Sequence, residues 1–405
     1  MKPINAYYRT YQFVFKLGAN FMDWSKPEIL SGAGAVKQLP ALIQSKGFKN
    51  ILVVTDGGIT KIGLAKPLYD ALDAQGISYV IYDGTQPNPT FDNIHAARDM
   101  YKKHNCEAII AFGGGSPMDC AKACAALIAC PKKTLPQLRG LLKVGHKSKM
   151  PTLFAVPTTA GTGSETTVAA VVTNPQTHEK YAINDMVLRP KYAVLDPELT
   201  YGLPKHITST TGIDALTHAV EAYLNNANTK ETLDCAEKAV DLIFKNLKTA
   251  YDDGKNTEAR SNMLMASHLA GIAFTRAYVG YVHAIAHNMG GLYGVPHGLA
   301  NAVILPYVLE YYGETAAKGL AKLADFAGLD CKGLTQNQKA AKFIKAIREL
   351  NESMDIPEKL DAKEKDIPTL VERALLEANP TYPVPKIMDK KDCESVIRRF
   401  ANIVE

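Results

Sequence analysis

The chain has 405 residues, with 46 Lys and Arg against 41 Asp and Glu, a formal balance of +5; over this length that is a weak field and excludes the concentrated basic charge of a dedicated nucleic-acid binder. At 46% hydrophobic and 21% charged residues the composition is that of an ordinary globular protein, and the length favours two domains because single cores stop growing near about 250 to 300 residues. The longest purely apolar run, Ala123 to Cys130, is far short of the roughly 20 residues that a membrane helix needs.

In chain order, the lead carries Lys2, Arg9 and Lys16 among tyrosines and phenylalanines, with no unbroken apolar core and no small-residue cleavage site, which reads against a secretory signal. Alternation at Tyr11, Phe13 and Phe15 predicts an added strand, placed at a subunit contact. From residue 49 to about 200, short β-branched blocks alternate with helical stretches. Ile51 to Val54, Tyr79 to Tyr82, Ala108 to Phe112 and Leu153 to Val156 read as strands buried on both faces, and Phe91 to His104 and Met118 to Ala129 as helices. That alternation predicts βαβ units and a parallel sheet, with ligands at the carboxyl ends of the strands. The stretch Pro131 to Met150 holds Lys132, Lys133, Arg139, Lys143, Lys147 and Lys149 and no acid, and reads as a solvated surface loop. The seven cysteines include no Cys-x-x-Cys pair, so they read as reduced, packed thiols of a cytoplasmic protein.

Past about residue 205 the period changes. Ala236, Ala239, Val240, Ile243, Phe244 and Leu247 recur at helical steps, as do the segments near 258–273, 316–327, 338–350 and 390–402. The expected architecture is therefore an α/β, Rossmann-like dinucleotide-binding domain over 1–204 followed by an all-α metal-binding domain over 205–405.

Three turns in the first half carry chemistry. The strand at Ala108 runs into Gly113, Gly114, Gly115, Ser116 and Pro117. Glycines admit a phosphate close to the backbone, Ser116 suits an N-cap and Pro117 the first helical position, and a helix N-terminus binds a pyrophosphate. The competing reading is a tight corner. Asp119, in the first turn of that helix, could orient a cofactor amide or ribose hydroxyl. Gly32 and Gly34 open a helical stretch and Asp56 closes the next strand, about 20 residues on, where an acid holds a ribose 2′-hydroxyl and repels a 2′-phosphate. That points to NAD rather than NADP, although Lys37 replaces the third glycine of the usual fingerprint. The run Pro157, Thr158, Thr159, Ala160, Gly161, Thr162, Gly163, Ser164 and Glu165 supplies hydroxyl and backbone donors to phosphate or ribose.

In the second half Asp214 and His218 stand i, i+4 on one helix face, His283 and His287 repeat that spacing, and His297 follows a glycine-bearing turn. Two such pairs with a further histidine point to a metal. Without cysteine the ligand field is imidazole and carboxylate, suited to Fe, Zn, Ni or Mn. Residue 284 is Ala, so the zinc-protease pattern His-Glu-x-x-His fails. Spacing leaves open whether both His283 and His287 ligate or one stays free as a proton carrier. A nicotinamide site on one domain and a metal on the other imply a cleft between them.

These segments resemble the iron-containing, or group III, alcohol dehydrogenases over nearly the whole chain from about Gly32. GGGSPMDCAK (113–122) is similar to the family's phosphate loop and PTTAGTGSE (157–165) to its nucleotide loop, while GIDALTHAVEAY (212–223) and HAIAHNMGGLYGVPHG (283–298) resemble its two metal segments. The resemblance implies Asp214, His218, His283 and His297 as ligands of Fe²⁺, with Zn²⁺ the alternative ion, and His287 as the unligated catalytic histidine beside the nicotinamide. It implies Pro87 and Asn88, with Pro89, as the adenine-side turn, Lys180 as the nicotinamide-side lysine and Asp56 as the residue of NAD preference. Phe274 falls at an aromatic wall of the substrate pocket, and Ala169 and Leu375 at pocket positions that vary. The activity so implied is reversible oxidation of a primary alcohol or small diol to its aldehyde, with a metal polarising the oxygen, hydride transfer to the nicotinamide and His287 passing the proton outward. A small alcohol or aldehyde is then the partner, with no nucleic acid, no membrane and a homo-oligomer, dimer or larger. The competing readings are a glycerol dehydrogenase or dehydroquinate-synthase-like lyase of similar layout, and a non-catalytic metal- or nucleotide-binding protein.

Overall fold

The computed structural model describes residues 3–145, 147–176 and 179–404; Lys2 lies outside them. The chain divides into two compact units, Asp23–Gly202 and Leu203–Glu405, the second joined by Met1–Met22. Among the described residues no helix is long and apolar enough to cross a membrane.

Helix α1 (Pro3–Ala19) opens the chain and packs with the helical unit, a correction to the placement of the lead in the first domain. It is also a helix rather than the strand that Tyr11, Phe13 and Phe15 suggest. Three alternating positions carry little weight against an anchored face spaced at helical intervals. The buried pair Gln12 and Ala19 lies two turns apart. Gln12 Nε2 donates to the carbonyls of Pro380 at 3.0 Å and Tyr382 at 2.8 Å, and the Arg9 guanidinium donates to those of Val384 at 2.7 Å and Pro385 at 2.9 Å.

In Asp23–Gly202 the strands are β1 (Glu28–Ser31), β2 (Asn50–Val54), β3 (Ser78–Tyr82), β4 (Ala108–Gly113), β5 (Gly140–Leu141), β6 (Thr152–Pro157), β7 (Ala169–Thr173), β8 (Lys180–Asn184) and β9 (Tyr192–Leu195). Six form one parallel sheet in the order β1-β9-β6-β4-β2-β3. The helices are α2 (Leu39–Ser45), α3 (Gly57–Ile62), α4 (Lys66–Ala74), α5 (Phe91–Lys103), α6 (Gly115–Ala129) and the single turn α7 (Leu135–Leu138). Because side chains alternate along a strand, Leu52, Val54, Ile109, Ala111, Leu153 and Ala155 face a core with Ile94 of α5 and Cys120 and Cys124 of α6. Ile51, Val53, Ile110, Phe112, Phe154 and Val156 face the opposite core with Leu39 of α2 and Leu68 of α4. This double burial is why the strands are unbroken apolar runs. A smaller sheet, β5-β8-β7, lies beside the main one in sequence terms and absorbs part of the basic stretch: β5 pairs with β8, and Leu135, Leu138 and Val144 are buried while the lysines stay outside.

The second unit is built from α8 (Lys205–Leu224), α9 (Lys230–Asp252), α10 (Thr257–Ala277), α11 (Tyr281–Tyr293), α12 (His297–Tyr312), α13 (Glu314–Phe326), α14 (Gln336–Glu352), α15 (Ile367–Ala378) and α16 (Lys390–Phe400). Among the described residues it is helical apart from one parallel ladder, β10 (Leu360–Lys363) with β11 (Ala401–Val404). The helical segment read over 390–402 therefore stops at Phe400, and the last residues turn into a strand. All seven cysteines are free and buried; burial pushes the Cys120 thiol up to about 12 and Cys124 well above its usual range, so the i, i+4 pair is packing.

Arg9→Ala removes two charge-assisted bonds that tie α1 to the 380–385 turn, and the expected cost is about 2 kcal/mol, read as a lower denaturation midpoint. A midpoint equal to that of the parent protein would refute this anchoring.

Candidate functional site

The order of the main sheet brings the first set of candidate residues together. From β2 the chain goes to β3 on one side, while β4 lies on the other, so the ends of β2 and β4 flank a switch point, where parallel sheets bind ligands. Asp56 follows β2 and Gly113 ends β4. The Gly32–Gly34 turn is not part of this set. It follows β1, which β9, β6 and β4 separate from β2, about 19 Å at ordinary strand spacing, and it is pinned instead by buried Asp196, whose carboxylate accepts from the Gly34 and Val36 amides at 3.1 and 3.0 Å.

Helix α6 begins at Gly115 with Gly114 as its N-cap, two residues earlier than a Ser116 cap would place it. Ser116 and Pro117 thus lie inside the first turn and Asp119 in the second. Gly113 has φ +148°, and a Cβ there would sit 2.6 Å from Pro117 Cγ, so the turn requires glycine. Gly114 and Gly115 face the hydroxyl loop: a Cβ would lie 3.5 Å from Thr159 Oγ1 and 3.2 Å from Thr162 Cγ2 respectively. The Thr158 amide donates to the Gly113 carbonyl at 3.0 Å. Asn88, at φ +57°, donates its amide to Ser116 Oγ at 3.2 Å, and the Thr173 amide donates to the Pro89 carbonyl at 2.9 Å. Lys180 pairs with Thr173 across β7 and β8, so the turn holding Pro87 and Asn88, the glycine loop, the threonine loop and Lys180 form one connected wall. Asp56 accepts from the Ile59 amide at 3.0 Å as the N-cap of α3, a helix-capping duty the sequence reading did not assign. A helix N-terminus walled by glycines and hydroxyls fits a pyrophosphate.

One residue of this wall escaped the sequence reading. Lys122 is fully buried, and its Nζ reaches the Ser164 carbonyl at 2.6 Å, Ser164 Oγ at 3.0 Å, Thr167 Oγ1 at 2.6 Å and the Ala169 carbonyl at 3.1 Å. Burial lowers it to about 8. Asp119, pushed up to about 6 by burial, accepts from Ser164 Oγ at 3.3 Å. Lys122 and Asp119 together clamp the threonine loop to α6.

In the helical unit α8 carries Asp214, His218 and Glu221 on one face. The αL cap Gly294, φ +68°, ends α11, which carries His283 and His287, and three residues later His297 opens α12. Asp214, His218, His283 and His297 each offer one ligand atom, all within 4.8 Å of one another; Asp214 Oδ1 lies 3.4 Å from His297 Nε2 and 3.9 Å from His283 Nε2. His283 Nδ1 is 2.6 Å from Glu221 Oε2, and the Val282 amide donates to Glu221 Oε1 at 2.8 Å. With its proton on Nδ1, given to Glu221, His283 turns the Nε2 lone pair to the cluster. Burial holds His283 well below the ordinary histidine range and pushes Glu221 up to about 8. Glu221 fits only beside a glycine: a Cβ on Gly280 would lie 2.7 Å from its Oε1. Buried Asn301, one turn beyond His297, places Nδ2 at 2.6 Å from Asp214 Oδ1 and 3.1 Å from Nε2 of both His283 and His297. Phe274 stacks on the His218 ring at 4.1 Å. Ala169 starts β7, and Leu375 is half-buried on α15. Converging carboxylate and imidazole lone pairs of this kind fit Fe²⁺ or Zn²⁺.

Residues 26–197 match the family described as iron-containing alcohol dehydrogenase, and residues 208–401 match the Fe-containing alcohol dehydrogenase family, C-terminal. The chain belongs to the iron-containing alcohol dehydrogenase family. Alcohol dehydrogenase 4 of Schizosaccharomyces pombe is 42% identical over 359 residues, 87% of this chain and 84% of that one. NAD-dependent methanol dehydrogenase of Bacillus methanolicus is 34% identical over 375 residues, covering 92% and 97%. The crystal structure of a 1,3-propanediol oxidoreductase superposes with a TM-score of 0.89 at 37% identity, covering 94% of this chain and 99% of that one. The chain is thus an oxidoreductase with an α/β parallel-sheet unit and a helical unit, as in this family.

Of the residues surrounding the cluster, Glu221 and Asn301 were open to helical spacing, three residues after His218 and four after His297, but an acid or amide at that interval is common enough to pass unremarked. A further prediction concerns the approach of α12 to α8. A Cβ on Gly298 would stand 2.5 Å from the Thr210 carbonyl oxygen, and backbone cannot step aside cheaply. Gly298→Ala displaces His297 from Asp214, and chelator competition is expected to show at least about tenfold weaker metal retention; retention equal to that of the parent would refute the role of this contact.

Proposed function

We propose that the protein catalyses NAD-dependent interconversion of a primary alcohol or small diol with its aldehyde, with Asp214, His218, His283 and His297 holding a divalent metal, iron in keeping with the family. The observation that carries the reading is the closeness of these four ligand atoms in a chain whose relatives include an NAD-dependent methanol dehydrogenase and a 1,3-propanediol oxidoreductase. When bound, the metal would supply a Lewis acid for the alcohol or carbonyl oxygen and NAD a hydride acceptor.

The chain's own residues do the rest. Glu221 orients His283, and Phe274, stacked on His218, walls the substrate side of the helical unit. Gly113, Gly114, Gly115 and Ser116 receive the pyrophosphate at the start of α6, with Thr158, Thr159, Thr162 and Ser164 as hydroxyl donors, Asp119 and Lys122 fixing their loop, and Pro87, Asn88 and Lys180 completing the wall. Asp56 holds the ribose 2′-hydroxyl, and its charge disfavours a 2′-phosphate. His287 carries the proton between the alcohol hydroxyl and solvent. A cytoplasmic homo-oligomer accords with this reading.

Reduced nicotinamide absorbance should appear when NAD, Fe²⁺ and a panel of small primary alcohols and diols are mixed with the protein; silence with every alcohol would overturn the activity. His283→Ala is expected to abolish bound metal and turnover together, whereas His287→Ala keeps the metal and slows turnover by about a hundredfold. Parent turnover by a metal-free His283 variant would sink the ligand assignment. Asp56→Gly should narrow the preference for NAD over NADP, at a capping cost of only about a few tenths of a kcal/mol because glycine is itself tolerated there; an unchanged cofactor ratio would remove Asp56 from the ribose site.

A further inference from the structure

His287 lies in the middle of α11 with its ring stacked on His297, centroids 5.1 Å apart and 18° between the planes. A neutral imidazole beside a reaction centre has two tautomers, and only one presents a lone pair at a given nitrogen. Among the described residues the ring's carboxylate partner is Glu377, one residue from the end of α15: its Oε1 lies 2.6 Å from His287 Nδ1. That same oxygen accepts from Tyr382 Oη at 3.1 Å. Tyr382 is itself fixed, since its amide donates to the Ala378 carbonyl at 2.7 Å and its own carbonyl accepts from Gln12 Nε2 of α1 at 2.8 Å. Burial, with Glu377 alongside, holds the Tyr382 phenol well above its usual range, so it stays a donor. The chain of contacts thus runs from α1 through the 380–385 turn to α15 and ends on one nitrogen of one histidine.

We propose that Glu377 is the positioning residue of His287: it accepts the Nδ1 proton, which locks the tautomer with Nε2 unprotonated, and Tyr382 keeps the carboxylate in place. The proposal rests on the reading of His287 as proton carrier. In alcohol oxidation Nε2 takes the hydroxyl proton, Nδ1–H stays bonded to Glu377, and the Nε2 proton then leaves to solvent. Glu377 remains a carboxylate throughout and never touches the substrate.

The test compares Glu377→Ala, Glu377→Gln, His287→Ala and the Ala double variant in metal-loaded protein, with kcat, KM for NAD, metal content and histidine ¹⁵N shifts of the zinc-loaded form as readouts. The His287 signals are assigned by their loss in His287→Ala. The expected result is a kcat about tenfold lower in Glu377→Ala, with metal content and KM for NAD unchanged and an Nε2–H signal appearing for His287. Glu377→Gln, whose amide oxygen accepts the same bond, recovers part of the loss and covers the case in which the Ala variant does not fold. The double variant turns over no more slowly than His287→Ala. Parent kcat and parent ¹⁵N shifts in the Glu377 variants, beside a slow His287→Ala, would overturn the proposal, as would further slowing by Glu377→Ala in the His287→Ala background. Parent kcat in His287→Ala would instead remove the proton-carrier reading, and the proposal with it.

Discussion

Four lone pairs face one another inside the helical unit. Asp214, His218, His283 and His297 bring their ligand atoms within 4.8 Å, where acceptor meets acceptor and only a cation or an N–H donor relieves the repulsion. Everything around the cluster is arranged to tolerate this. The Asn301 amide, with two N–H groups, lies within reach of three of the four groups, Glu221 draws the His283 proton to the far side of its ring, and Gly280 and Gly298 leave room for the carboxylate and for the approach of α12 to α8. Even the turn before α11 is held from the same helix that bears Asp214, through the buried side chain of Asn225 at its end, whose Nδ2 lies within 3.0 Å of the carbonyls of Ala277, Tyr278 and Val279.

The nucleotide unit solves a different problem with a similar device. A loop of small hydroxyl residues has, beyond buried Ala160, little apolar surface with which to anchor itself. Lys122 provides the anchor from beneath, a buried cation whose charge is spread over two carbonyls and two hydroxyls, with Asp119 close by. Burying that charge is costly in isolation and tolerable only because each of its donors is engaged. The outcome is a rigid threonine loop set against the glycines that begin α6, in a sheet whose strands are buried on both faces and cannot shift register without exposing an apolar row.

Much of this was legible in the residues. The strands at 51–54, 108–112 and 153–156 announce themselves because double burial makes them continuous apolar runs; 79–82, read the same way, is the edge strand and only partly buried; helices such as α9, α13, α14 and α16 show because one-sided burial imposes a 3.6-residue period. The Asp214/His218 and His283/His287 pairs are legible for the same reason, as i, i+4 spacing is a property of a single helix. The failures have a common cause too. Tyr11, Phe13 and Phe15 alternate like a strand, but α1 is decided by Gln12 and Arg9 reaching carbonyls more than 360 residues away in sequence. Gly32 and Gly34 mimic a dinucleotide fingerprint in spacing, yet the strand order sends them to the sheet edge against Asp196.

The sequence by itself determined the alternation of strand and helix, the glycine and threonine turns, the histidine pairs and, through those motifs, the family. Those are local quantities, set by backbone conformation and by neighbours within a turn or two. Only the tertiary structure decided which turns share a switch point, that Lys122 lies beneath the threonine loop, that Glu221 and Asn301 face the metal cluster, and that Glu377 reaches His287 across 90 residues of chain. Such pairings depend on which helices pack together, and a lone Glu or Asn carries no periodicity from which its partner can be read.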